Sequence, residues 1–261
     1  MFEGIDPEDF FWITPEIMGF PSPDQCPAAG PCVIGGDLHP LRLLLAYQQG
    51  IFPLNGPHEP VFWWAPDPRF VLLFEDLVVQ KSMRPYFNQR KFRVTLDTCF
   101  EQVLHHCATV ERPWHSSPWI DDRVRKGYTA LYELGYAHSV EVWRGEELVG
   151  GLYGLSLGKI FFGESMFTRV SNASKFGLIT LARTLEKKGF WFIDCQLWSD
   201  HLDQMGGSFL TRRFFLEVLA RNRREKTFRG SWSDWEVADT WKRDENAPSL
   251  REAWDLGPKD W

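Results

Sequence analysis

From Ala137 to Gly163 the chain reads as strands that reverse direction twice, and this stretch limits the possible folds more than any other. Ala137 to Trp143 has the two-residue period of a strand, Arg144-Gly-Glu-Glu147 forms a turn, and Leu148 to Leu157 runs back. Gly158-Lys159 turns again, and Ile160 to Gly163 opens a third strand. A polar loop follows, then a helix capped by Ser171 or Asn172 that runs to Lys188 and stops at Gly189. Phe190 to Cys195 predicts another strand and Thr211 to Arg221 a last helix. Upstream, Pro40 to Tyr47 reads as a helix ended by Gly50, and Val71–Phe74 and Phe92–Thr95 as strands. Asp97 is a candidate N-cap for a helix bearing Phe100, Val103, Leu104 and Cys107 on one side. A helix from Asp121 to Leu134 turns Val124, Tyr128 and Leu131 inward and stops at Gly135. Residues 1–36 read as loop with short elements, and 51–69 as an ordered, proline-turned linker.

A meander, then helix, strand and helix, matches an acetyltransferase-like (GNAT-like) α/β arrangement. The expected fold is therefore α/β (α+β), with a mixed, largely antiparallel sheet in a catalytic domain over 68–228. A small N-terminal domain over 1–67 packs on it, and a C-terminal extension follows over 229–261. Fold does not dictate chemistry. Coenzyme A enzymes of this type carry a glycine-rich [QR]-x-x-G-x-[GA] turn before the helix, whose backbone N–H groups hold the pyrophosphate. Here Ser165 to Lys175 contains no glycine, so the acyl donor is expected to be something else.

Composition excludes several classes. No window has the ~18 or more consecutive apolar residues of a membrane span, and the acidic start MFEGIDPEDFFW lacks the basic head of a signal peptide. Cytoplasm is the expected location. Five cysteines are odd in number and scattered, unlike a disulfide framework. Cys26 and Cys32 with His105 and His106 match no zinc spacing, so idle or buried thiols and no metal are expected. A net charge of −6 disfavours a polyanionic partner as a sum, but local clusters decide such binding. Lys81, Arg84, Arg90, Lys91 and Arg93 form one cluster, and Arg212, Arg213, Arg221, Arg223 and Arg224 another. On charge alone, both read equally as solvated faces.

A series of short blocks then bears on function. Gly35-Gly-Asp-Leu38, Ala46-Tyr47, Gly50-Ile-Phe-Pro53, Trp63-Trp-Ala-Pro-Asp-Pro-Arg69 and Ala137-His-Ser-Val-Glu-Val-Trp143 come first. Leu148-Val-Gly-Gly-Leu-Tyr-Gly154, Gly163-Glu-Ser-Met-Phe167, Asn172-Ala-Ser-Lys175 and Ile193-Asp-Cys-Gln196 follow. In this order they resemble leucyl/phenylalanyl-tRNA–protein transferases, over roughly residues 20 to 220. The resemblance implies movement of Leu or Phe from aminoacyl-tRNA to proteins beginning with Arg or Lys, which tags them for N-end rule degradation. It implies no cofactor and a monomer. The donor is already an activated ester, and an α-amine with a pKa of about 7.7–8.0 is a usable nucleophile at neutral pH.

The resemblance also assigns residues. Asp194 and Gln196 stand two apart on a strand, so they should share a face on which to orient the amine. By residue type alone, they read equally well as strand-end groups satisfied by a turn. Glu164 matches the family's functional glutamate and would bind the cationic acceptor. Leu152, Met166, Leu178 and Ile193 correspond to the family's pocket for the donor side chain. Trp119 corresponds to a tryptophan that stacks on the tRNA's terminal adenosine, with Tyr128 and Tyr47 nearby and Arg84, Arg90, Lys91 and Arg93 on the phosphates. One departure stands out: the family usually has Trp where this chain has Leu54, so either one wall of the adenosine site is weakened or another ring such as Phe62 or Trp63 substitutes. Two other readings keep these residues: tRNA-dependent transfer with a different donor or acceptor, and a non-catalytic module that binds tRNA or basic N-termini.

Overall fold

The computed structural model describes residues 10–56, 59–109 and 120–256. The Pro- and Gly-rich opening, expected to be mostly loop and linker, builds a sheet of its own. Its strands are β1 (Phe11–Ile13), β2 (Pro31–Gly35), β3 (Phe52–Pro53) and β4 (Phe62–Trp64), in the order β1-β2-β4-β3. Strands this short carry too little alternation to be read from sequence. Cys26 and Cys32, expected to be idle thiols, are joined in a disulfide that closes the turn before β2. A spacing of six residues carries no signal of its own, so the pairing follows from the turn that brings the two together. Helix α1 (Pro40–Gln48) starts at its proline as expected. Its buried Arg42 donates to Asp37 and to the carbonyls of Thr14, Pro15 and Ile17, which explains the Asp37 of the Gly-Gly-Asp-Leu block.

The rest of the chain forms one large sheet with helices on both sides. Its first members are β5 (Arg69–Leu73), the short α2 (Arg84–Asn88), β6 (Arg93–Leu96), α3 (Phe100–Thr109) and α4 (Asp122–Glu133). The predicted meander follows as β7 (Ala137–Arg144), β8 (Glu147–Leu157) and β9 (Ile160–Thr168). Next come α5 (Ala173–Lys187), β10 (Phe192–Gln196), α6 (Asp200–Asp203), β11 (Ser208–Leu210), α7 (Arg212–Asn222) and α8 (Leu250–Ala253). The strand order is β11-β5-β10-β9-β8-β7-β6, mixed and largely antiparallel, with β9 and β10 the parallel pair.

Three local expectations need correction. The segment after Gly163 is not a loop: β9 continues to Thr168, because Ser165 and Phe167 pair with Tyr153 and Gly151 of β8. Asn172 sits before α5 in the left-handed region (φ 70°) and does not cap it; its amide donates to Tyr86 instead. Asp97 does not cap α3. Its carboxylate accepts from the Ser139 and Trp232 amides and bonds His138, while buried Glu141 accepts from the Thr98 and Cys99 amides before α3. A charge drawn into the core by distant partners is lost to its own helix.

Two apolar clusters fill the molecule. One joins α1, α3, α4 and α7 to the small sheet, through Tyr47, Phe100, Tyr128, Phe215 and Trp63. The other joins α5 to the chain after α7, through Leu178, Leu181, Leu185 and Trp232. That last segment lies against the domain as a strap: Trp232 stacks on His138 at 3.6 Å, and Arg251 pairs with Asp76. No helix among the described residues is long and apolar enough to cross a membrane.

Candidate active site

Two breaks in the β pleat build the site. On β9, Ser165 lies opposite Tyr153 and Gly163 opposite Gly154, so Glu164 is an extra, unpaired residue. On β10, Asp194 lies opposite Val71 and Gln196 opposite Phe70, so Cys195 is extra, and Gln196 takes a left-handed φ of 65°. Bulges re-aim side chains and end pairing. Accordingly, the parallel pairing of β9 with β10 stops at Phe162 and Asp194, and the strands part beyond it. The first bulge requires Gly154, where a Cβ would lie 2.1 Å from the Phe162 carbonyl oxygen.

Asp194 and Gln196 flank the second bulge, and each finds its own partner. Asp194 is fully buried and turns to Arg69, whose Nε and Nη2 donate to its two oxygens at 2.8 and 2.7 Å. The guanidinium lies between the rings of Phe52 and Phe215 and also donates to the Gly50 carbonyl. Asp194 Oδ1 additionally accepts from the Gln196 amide at 2.9 Å, which holds the bulge closed. The Gln196 side chain reaches Glu164: its Nε2 donates to Oε1 at 2.8 Å. Arg69 has no assigned role in the sequence reading. A cation heading the buried run Phe70–Phe74 is the signal for it, because a buried charge needs a partner.

Glu164 is the convergence point. Tyr47 of α1 and Tyr128 of α4, both fully buried, bring their hydroxyls to Oε1 at 2.6 Å and Oε2 at 2.8 Å. Those hydroxyls are themselves 2.6 Å apart. Burial pushes the Glu164 carboxyl up to about 7, reinforced by the charge of Asp194 and opposed by the donors Tyr47, Tyr128 and Gln196. Neither tyrosine ring is open to a base, so both leave the expected tRNA-stacking set and belong to this carboxylate.

Glu164 borders a cavity of about 660 Å³, where β9 and β10 have parted. Leu152, Met166, Leu178 and Ile193, the four expected pocket residues, all line it, with Phe161 at the back. A polar rim adds Lys175, Ser199 and His201, none of which the sequence singled out. His201 is held below its ordinary value by burial and by the nearby Lys175. Arg84 on α2, Arg90 and Lys91 in the link after it, and Arg93 at the start of β6 are exposed. Trp119 lies outside the described residues. Trp63 is fully buried, with its indole N–H on the Gly35 carbonyl, and therefore does not replace the ring missing at Leu54. Among the described residues no group of His, Cys, Asp and Glu is arranged to hold a metal ion.

The sequence profile of leucyl/phenylalanyl-tRNA protein transferase matches residues 71–220, and that of its N-terminal domain matches residues 36–67. A leucyl/phenylalanyl-tRNA–protein transferase of Syntrophus aciditrophicus is 48% identical over 218 residues, 84% of this chain and 91% of that protein. The one of Myxococcus xanthus is 44% identical over 225 residues, 86% and 95% of the two chains. The one of Flavobacterium johnsoniae is 46% identical over 200 residues, 77% and 94%. The solved structure of L-PGS from Bacillus licheniformis aligns over 76% of this chain and 66% of that chain at 12% identity. Its TM-score of 0.35 is too low to support an argument.

Proposed function

The chain belongs to the leucyl/phenylalanyl-tRNA–protein transferases, and from that footing we propose how its residues move Leu or Phe from aminoacyl-tRNA onto a protein amine. The observation that carries the reading is Glu164 at the edge of an apolar cavity, joined to two buried phenols and an amide. Leu152, Met166, Leu178 and Ile193 take the donor side chain. Met166, half-buried and unbranched, adapts to either Leu or Phe. With the side chain seated, the ester carbonyl lies at the Glu164 end, where the acceptor amine attacks. Fixing two reactants in this way is a large part of the rate enhancement.

The transfer moves one proton from the acceptor nitrogen to the departing ribose oxygen while a C–N bond forms and a C–O bond breaks. A carboxyl near 7 faces an amine of about 7.7–8.0, so exchange between them is close to balanced in either direction. Gln196 positions that carboxyl. Asp194, with both oxygens engaged and no exposed surface, acts behind it as the anchor of the Gln196 bulge.

An acceptor beginning with Arg or Lys, and hence N-end rule tagging, fits the acidic side of the site. Glu164 lies at its edge, and exposed Asp200 and Asp203 follow on α6 beside the rim residues Ser199 and His201. Trp119 and the exposed Arg84, Arg90, Lys91 and Arg93 are our candidates for the tRNA end and its phosphates. We assign 68–228 as a GNAT-like catalytic domain, on the order meander, helix, parallel strand, with 1–67 as the N-terminal domain and 229–261 as the extension. A monomer working in the cytoplasm, where charged tRNA is found, completes the reading.

Labelled Leu-tRNA and Phe-tRNA, offered with peptides beginning Arg, Lys, Asp or Met, test it. Transfer is expected to the Arg and Lys peptides alone, and transfer to all four would refute the acceptor assignment. Glu164→Gln is expected to lower kcat about 10²–10⁴-fold with unchanged tRNA affinity. A kcat near that of the wild type would remove Glu164 from the chemistry.

A further inference from the structure

Three oxygen-to-oxygen contacts close a triangle at the site. Tyr47 Oη to Tyr128 Oη is 2.6 Å, Tyr47 Oη to Glu164 Oε1 is 2.6 Å, and Tyr128 Oη to Glu164 Oε2 is 2.8 Å. Each has the length of an O–H···O hydrogen bond and needs one proton between its oxygens. A phenol supplies one proton and an ionised carboxylate none. Burial and the Glu164 charge hold both phenols well above their ordinary range, so each keeps its single proton. Two protons cannot serve three contacts. With Glu164 ionised and both phenols donating to it, the edge between the two fully buried phenols would press two lone pairs together at hydrogen-bond distance. A carboxyl proton supplies the third, and all three edges are then satisfied with the ring running in either sense. Gln196 Nε2 still donates to the free lone pair of Oε1.

We propose that Tyr47, Tyr128 and Glu164 form a closed hydrogen-bonded ring that keeps a proton on the Glu164 carboxyl at rest, so that Glu164 acts first as an acid. This rests on the transfer reading above. The acceptor amine attacks as its free base and the C–N bond forms. The Glu164 carboxyl proton passes to the ribose oxygen as the C–O bond breaks. The carboxylate left behind takes the surplus proton from the new amide nitrogen, which restores the ring. The other titratable groups around Glu164 are Asp194, paired with Arg69, Tyr153, edge-on to Tyr128, and Lys175 and His201, which line the same cavity.

A pH–rate profile does not separate the two orders of proton transfer, because ammonium facing carboxylate has the same composition as amine facing carboxylic acid. Infrared difference spectra of the tRNA-free protein do. Wild type minus Glu164→Gln is expected to show a carboxylic-acid C=O band at about pH 5.5–6 that is replaced by carboxylate bands with a midpoint near 7. Tyr128→Phe and Tyr47→Phe, each nearly isosteric, decide the sign. Opening the ring removes the shortage of protons, so the midpoint is expected to fall by about one pH unit or more. If the tyrosines only donate to an anion, removing one raises the midpoint. A raised midpoint, or no acid band sensitive to Glu164→Gln at the lower pH, would overturn the proposal. The transfer assay would stand or fall separately.

Discussion

At the scale of single residues, the decisive feature is a division of labour between two carboxylates. Glu164 borders the cavity and is held near neutrality, whereas Asp194 is sealed behind it on Arg69. Breaking a buried ion pair by removing one partner costs about 3–5 kcal/mol, and replacing both members by neutral groups is far less harmful. Asp194→Ala is therefore expected to lose about that much stability in urea unfolding. The double variant Arg69→Met with Asp194→Asn is expected to recover most of it, since Asn keeps an oxygen for the Gln196 amide. If the double variant is no more stable than Asp194→Ala, the pair is not the anchor described here. The resemblance named Glu164, Leu152, Met166, Leu178 and Ile193, and these five border one cavity. Arg69 and the roles of the two tyrosines were not legible in the sequence, because each depends on a partner found 36 to 125 positions away.

At the scale of elements, the meander was readable because its signals are local: alternation along Ala137 to Trp143 of β7, and turn residues at Gly145 and Gly158. The bulges were not readable, since a pleat of period two gives no sign of where one residue will be skipped. The β8–β9 hairpin is tied to the end of α7 by buried Asn222, which accepts from the Lys159 amide and donates to the Leu157 carbonyl, both at 2.7 Å. Asn222→Ala leaves two backbone groups of the hairpin without partners, at about 1–3 kcal/mol for each buried group. A lower midpoint in denaturant with an unchanged m value is expected. A midpoint equal to that of the wild type would mean that water replaces both bonds.

At the scale of the whole molecule, an acidic protein has to bind a polyanion, and the distribution of charge decides how. The chain carries a net charge of −6, yet Arg84, Arg90, Lys91 and Arg93, all exposed, follow closely along the chain from α2 to the start of β6. Replacing Arg84 and Arg90 by Glu is expected to weaken Leu-tRNA and Phe-tRNA alike and leave kcat at saturation intact. The slope of log affinity against log salt should become shallower by about 0.7–0.9 for each cation removed. An unaltered slope would make this run a solvated face, as charge alone had equally suggested. The tryptophan-rich chain after α7, unplaced by motif, packs as a strap: Trp232 on His138, Trp254 edge-on to Trp191.

What the sequence determined by itself is whatever short-range periodicity and turn chemistry can encode: helix α1, the meander β7 to β9, and the longer helices and strands that flank it between β5 and α7. The three-dimensional arrangement decided the rest. It paired Cys26 with Cys32, set Asp194 on Arg69, drew Asp97 away from α3, and closed Tyr47, Tyr128 and Glu164 into one ring. The last three share one physical reason. A buried polar group is satisfied by whatever the fold brings within hydrogen-bond distance, and residue order along the chain does not state that distance.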